Sequence, residues 1–166
     1  MAEKRPKFDP LGVLATLDRH RVAYIVVGSF ARVVHGAEEI TRGVDIVPAM
    51  KPENLQRLEA ALRELEARRL DGKDFAVSDL ADQPAAELTA DRGEIKVVPE
   101  PAGTRGYEDL RRAATREPLG RGLRPSVASI DDLARMLAAL GREEDREKLR
   151  ALRRLAELER GLALEL

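Results

Sequence analysis

Apolar side chains recur along this chain with two different periods, and the change of period marks its elements. Leu11, Leu14 and Leu17 form a helical stripe over 9–21, opening on Asp9 as N-cap with Pro10 at the first helical position. The next run, VAYIVVG (22–28), is continuous, apolar and β-branched, the mark of a buried strand. Gly28 and Ser29 break it, FARVVHG supplies about two helical turns, and Gly36 is placed to cap them. GVDIVP (43–48) reads as a second strand. In KPENLQRLEAALRELEARRL, Leu55, Leu58, Leu62 and Leu65 share one helical face. A polar connector, DGKDFAVSDLADQP, carries a weak strand signal at 75–77. AELTADRGEIKVVPEP then reads as a hairpin turning at ADRG, with Ile95 and Val97 alternating against Glu94, Lys96 and Val98. GYEDLRRAAT predicts a short helix and LRPSVA a short strand. SIDDLARMLAAL starts on a capping pattern, Ser129 with Asp132, and after Gly141 the chain continues as helix.

This order, α-β-α-β-α, hairpin, helices, shows no internal repeat. The hairpin requires antiparallel pairing, so the pattern predicts an α/β (α+β) fold: a small mixed sheet flanked by helices. The expected division is a core over 1–128 and a helical C-terminal segment over 129–166, packed on the core or extending from it.

Composition narrows the chemistry. At 166 residues and 43% apolar, the chain fits one ordinary domain, with a high charged share of 36%. A net charge of −1 gives no whole-chain field for nucleic acid or membrane. Aromatic residues are scarce and not interleaved with basic ones, so no stacking platform for single strands is expected. The absence of cysteine excludes disulfides, thiolate nucleophiles and cysteine-based zinc sites. No apolar run approaches the ~18 residues of a membrane span. The basic MAEKRPKFDP stretch lacks the apolar run of a secretory signal. The expected location is cytoplasmic.

The candidate chemistry lies in the first two strands. Residues i and i+2 of a strand point the same way, so two acids one residue apart can hold a cation. Here Asp45 is present and Gly43 stands where its partner would be. VVGS, thirteen residues, then GVDIV resembles the signature of the nucleotidyltransferase superfamily: a hydrophobic strand, Gly-Gly or Gly-Ser, a spacer, then acid–hydrophobic–acid–hydrophobic. VGSFARVVHG, TRGVDIVP, ENLQRLEAALREL, GEIKVVPEPAGTRGYEDL and VASIDDL resemble segments of the small prokaryotic members, several of them tied to toxin–antitoxin systems. The resemblance runs from Val22 to Leu155 and implies the family fold, with Mg²⁺ and an NTP as cofactor and substrate.

Carried over position by position, the resemblance makes Gly28 and Ser29 the phosphate-binding turn and Asp45 the second metal acid. It puts Gly43 in place of the first acid and Lys96 in place of the third. Arg42 is open between a phosphate contact and a surface residue. With one acid of three kept, the implied protein is catalytically degenerate, a nucleotide-binding or partner-binding module. The alternative is an active Mg²⁺-dependent enzyme that moves NMP to a hydroxyl of a small molecule, RNA or protein. Glu94, two residues from Lys96 and about 6–7 Å along the strand, and Glu38 and Glu39 in the preceding loop are the acids available for rescue. The sharper expectation is that Lys96 pairs with Asp45 across adjacent strands and fills the metal's space. Replacing Gly43 and Lys96 with Asp would then restore cation binding.

Other features read more plainly. His35 is a capping or packing residue, His20 is exposed, and two lone histidines make no metal site. Glu108 and Asp109 suit a helix start. The charged run 142–160 is a solvated face with i,i+4 pairs, while Leu149, Leu152, Leu155 and Leu158 are open as a partner-facing stripe of the C-terminal helices.

Overall fold

The structure, a computed structural model, describes residues 7–165. Helix α1 (Pro10–Arg19) begins as the sequence predicts, with the Asp9 carboxylate accepting from Gly12 N at 3.0 Å. Strand β1 (Tyr24–Val27) is buried throughout and passes straight into α2 (Gly28–Val34), so the helix starts at the Gly-Ser step and not after it. Strand β2 (Gly43–Pro48) and helix α3 (Pro52–Glu64) follow, with Leu55, Leu58, Leu62 and Leu65 all buried. Asn54 pins α3 to the sheet: its amide accepts from Ala23 N and donates to the carbonyls of Ala23 and Ala49.

The connector differs from expectation. A two-residue strand, β3 (Arg68–Arg69), forms before it, and residues 75–77 join no ladder. Phe75 is apolar because it is a core plug, 1% exposed, and a four-residue helix, α4 (Asp79–Asp82), follows. The predicted hairpin is β4 (Ala86–Ala90) with β5 (Gly93–Val97). Short α5 (Tyr107–Leu110) leads to β6 (Thr115–Arg116) and β7 (Ser126–Val127). Helix α6 (Ile130–Leu140) is capped by Ser129, which accepts from Asp132 N, and ends on Gly141 in the left-handed conformation. A 3₁₀ turn (Glu143–Asp145) joins it to α7 (Arg146–Glu165).

The sheet is mixed, in the order β3-β4-β5-β2-β1-β7-β6. β2 lies parallel to β5 and β1 parallel to β7, and the other pairings are antiparallel. Register sorts its central strands into two faces. Val44–Ile95–Leu88 and Ile46–Val97–Ala86 form apolar cross-strand rows that belong to the buried core. Gly43–Glu94–Thr89 and Asp45–Lys96–Glu87 form polar rows on the opposite face. A slip of one residue would exchange the two sets, so the apolar rows hold the polar ones in place.

The same core includes Ile130, Leu133 and Met136 of α6 and Leu152 and Ala156 of α7. Leu149 and Leu155 also pack against it, which corrects the partner-facing reading of that stripe: these leucines cover the protein's own core. Leu158 and Leu162, each 64% exposed, lie beyond that contact. Among the described residues no helix is long and apolar enough to cross a membrane.

Candidate functional site

The polar rows form the floor of a cleft of about 280 Å³ that Ser29, Arg42, Gly43, Asp45 and Lys96 all help to line. The structure thus brings the sequence-proposed residues together. Gly28 does not line this space, but it shapes it from behind. Its φ is +72°, and a Cβ built on it would stand 2.9 Å from Cγ of Asp45. A side chain there would be strained by conformation and blocked by the carboxylate.

Asp45 is partly buried in the centre of the floor. Burial pushes its carboxyl above the ordinary range, opposed by attraction to Lys96 and Arg32 and reinforced by repulsion from Glu87 and Glu94. Lys96 is its register partner. Their side chains form no hydrogen-bonded ion pair, so the expected direct contact is absent and the ammonium acts on Asp45 through its field.

Gly43 is closed to a side chain. A Cβ there would meet the carbonyl oxygen of Glu94 at 2.6 Å and its Cβ at 2.9 Å. The obstacle is the backbone of a neighbouring strand, so Gly43→Asp requires β5 to move and does not simply restore the family's acid pair. Glu94 is itself the register partner of Gly43, and its side chain rises beside the position that lacks one.

Ser29 is engaged within the protein. Thr41 Oγ1 donates to the Gly43 carbonyl at 3.1 Å, and Ser29 Oγ lies 2.7 Å from Thr41 Oγ1. A carbonyl only accepts, so the Thr41 hydrogen is committed to Gly43 and Ser29 donates to Thr41. The Ser29 hydroxyl therefore ties the start of α2 to the entry of β2 and keeps only acceptor capacity.

The acids considered for rescue divide. Glu39 is held by Arg32 through two contacts, 2.7 Å to Nε and 3.0 Å to Nη2, and is not a lining residue of the cleft. Glu38 is exposed and is not a lining residue. Glu94 lines the cleft, and so does Glu87, which sequence reasoning passed over. The signal for Glu87 was the alternation of AELTA: Ala86, Leu88 and Ala90 are buried and Glu87 and Thr89 face out. Two apolar residues, Ile40 and Leu70, line the lips of the cleft; they are 91% and 81% exposed. Leu70, Glu87 and Lys96 also line a second hollow running toward Arg69 and Asp79, so the cleft continues past β4.

His35 Nε2 lies 2.8 Å from the Ala128 carbonyl and serves as the C-cap residue of α2. His20 sits at the C-cap of α1 beside Glu64, 3.2 Å away, and is only partly exposed. Among the described residues no three histidine, aspartate or glutamate side chains are grouped to hold a metal ion. The residues that the sequence resemblance puts at a metal position do not fit Mg²⁺: one carboxylate, a glycine without room and an ammonium stand there in place of a set of oxygen ligands.

The sheet order, the strand-to-helix step at Gly28 and the acid-bearing β2 define a nucleotidyltransferase-like fold. Solved structures that share it include two nucleotidyltransferase-like proteins. A candidate nucleotidyltransferase from Thermotoga maritima superposes with a TM-score of 0.56 at 17% identity, covering 86% of this chain and 88% of that one. The antibiotic-resistance factor ANT(2'')-Ia gives 0.50 at 16% identity, covering 94% of this chain and 92% of its own. No protein-family model matches the sequence. No curated protein matches it either.

Proposed function

We propose that this chain is a nucleotidyltransferase-fold protein that does not transfer nucleotides and instead acts as a binding module, with a nucleotide as the ligand of its cleft. The observation that carries the first half is the acid count at Asp45, Gly43 and Lys96. Transfer of a nucleotide needs the charge of the triphosphate neutralised and the reacting phosphate polarised, and a divalent cation does both in enzymes of this kind. Asp45 alone, beside an ammonium and a closed glycine, is a poor set of ligands for one. The binding half is supported by the lips and rim: Ile40 and Leu70 offer apolar surface for a base, and Arg42 and Lys96 offer cations for phosphate. In this reading 1–128 holds the ligand, and the exposed Leu158 and Leu162 of the helical segment 129–166 are where a protein partner docks, as in a toxin–antitoxin pair.

The test is incubation of the protein with each labelled NTP, with Mg²⁺ or Mn²⁺ and host extract, alongside calorimetric titration of the same nucleotides in EDTA. The expected result is saturable nucleotide binding without label transfer. Label on any product that disappears with Asp45→Ala overturns the proposal.

One observation favours a second reading. Glu87 and Glu94 line the same cleft as Asp45, so three acids face it, though they are neither at the family's positions nor gathered as a metal-holding group among the described residues. An active enzyme built on that set would move NMP to an acceptor hydroxyl, and its activity would fall with Glu87→Gln as well as with Asp45→Ala.

A further inference from the structure

The sheet ends, beyond β1, in a strongly basic hairpin. Between Arg111 and Pro125 the chain carries five arginines, Arg111, Arg112, Arg116, Arg121 and Arg124, against one acid, Glu117. All five are exposed. Arg111 lies 3.3 Å from Glu108, but both side chains are well solvated and such a pair has little weight. Among the described residues the other four form no ion pair with a carboxylate. The near-neutral balance of the whole chain conceals this local excess.

The hairpin presents its arginines from a fixed frame. β6 and β7 pair antiparallel, Leu119 packs against the core and Leu123 is buried. Arg116 Nε donates to the Arg124 carbonyl at 2.6 Å, which holds one edge of its guanidinium and leaves both Nη groups available. At the tip, Leu123 N donates to the Gly120 carbonyl at 2.9 Å, and the two residues between have φ of +55° (Arg121) and +74° (Gly122). A two-residue turn with both central residues left-handed favours Asn-Gly or Asp-Gly. Arginine is disfavoured there. Within the protein its side chain gains only an attraction to Asp9, a carboxylate that Arg92 already holds. The turn's own folding does not account for a guanidinium at this point.

We infer that this hairpin is a docking surface for RNA, which it holds by the phosphates of a single strand. Guanidinium forks match phosphate oxygens two at a time. No large exposed apolar residue lies between 111 and 125, so the surface lacks what a lipid bilayer or a folded protein partner would bury. The two strands have two residues each and α5 has four, too short to fill the major groove of duplex DNA. No aromatic residue interrupts the basic run, so bases have nothing to stack on and binding is independent of sequence. β7 and β1 stand between β6 and β2, which puts this surface about 14 Å from the cleft strand by the usual strand spacing. The inference therefore does not depend on nucleotide binding in the cleft.

The experiment is fluorescence anisotropy of labelled polyuridine with the full chain over a range of salt, repeated with anionic phosphatidylserine vesicles and with polyglutamate. The native protein should bind polyuridine saturably, and more weakly as salt rises. The triple variant Arg116→Gln, Arg121→Gln, Arg124→Gln should bind at least tenfold more weakly, with a log–log salt slope flatter by about 2 for three lost phosphate contacts. Arg146→Gln, Arg150→Gln and Arg153→Gln together remove the same charge from α7 and should keep the binding. Arg121→Asn suits the turn better, so it should melt no lower than the native protein while binding RNA more weakly. Native protein that binds no polyuridine, binding that the hairpin triple variant keeps or the α7 variant equally loses, or capture by the vesicles or polyglutamate alone overturns the inference.

Discussion

The carboxylate of Asp45 lies against the backbone of Gly28, with 2.9 Å between its Cγ and the place a Gly28 Cβ would take. The end of β1 and the centre of β2 thus meet at the one position where the chain turns from strand to helix with φ +72°. Gly28→Ala should destabilise the fold twice over: by about 1–2 kcal/mol for the left-handed backbone, and further through overlap with Asp45. Urea denaturation of Gly28→Ala in native and Asp45→Ala backgrounds separates the two effects. The penalty should be smaller when Asp45 is truncated. An equal penalty in both backgrounds would show that the contact does not matter.

Asp45 should make stability depend on pH in an unusual direction. Burial raises its carboxyl pKa in the folded protein, and Lys96 and Arg32 only partly oppose this. A group whose folded pKa exceeds its unfolded value stabilises the fold fully below the unfolded value, about 3.9 for Asp, and loses that contribution as pH rises through the folded value. Asp45→Asn should therefore melt higher than the native protein at pH 7, with the difference shrinking toward pH 3. Melting curves across that range check it, and a variant less stable than native at pH 7 would contradict it.

Gly43 should resist any side chain. Gly43→Ala places a methyl against the Glu94 carbonyl and should cost about 1–3 kcal/mol, the usual range for overpacking. Gly43→Asp should add no cation affinity to Lys96→Asp, because the strand must move to admit it. Paired denaturation and Mn²⁺ titration of the single and double variants test both statements.

The Arg32–Glu39 pair should be the most sensitive ion pair near the cleft, because both side chains are only about a tenth exposed, 10% and 11%. It braces the loop that carries Ile40, Thr41 and Arg42. Arg32→Ala strands a buried carboxylate, a change worth roughly 3–5 kcal/mol. Lys148, 3.9 Å from the same carboxylate, should hold the loss near the lower end. Replacing both partners with apolar residues should cost far less. Chemical denaturation of the single and double variants measures the difference.

Much of this architecture is written locally. The Asp9 and Ser129 caps, the leucine face of α3, the two central strands and the ADRG hairpin each follow from a period or a cap that a short window contains. Two-residue strands such as β3 and β6 contain no period and could not be read that way. Phe75 looked like part of a strand because an apolar residue in a polar stretch has the same signature whether it joins a ladder or plugs a core.

The site divides along the same line. The sequence by itself determined that Gly28, Ser29 and Asp45 fall at a strand end, a helix start and a strand centre. Only the tertiary structure decided that Glu94 rises beside Gly43 and blocks it, that Glu87 reaches the same floor, that Ser29 spends its hydrogen on Thr41, and that Leu149 and Leu155 face their own core. The physical reason is that a side chain's face is set by its own strand. Its neighbours are set by which strands hydrogen-bond together, and that pairing joins residues dozens of positions apart.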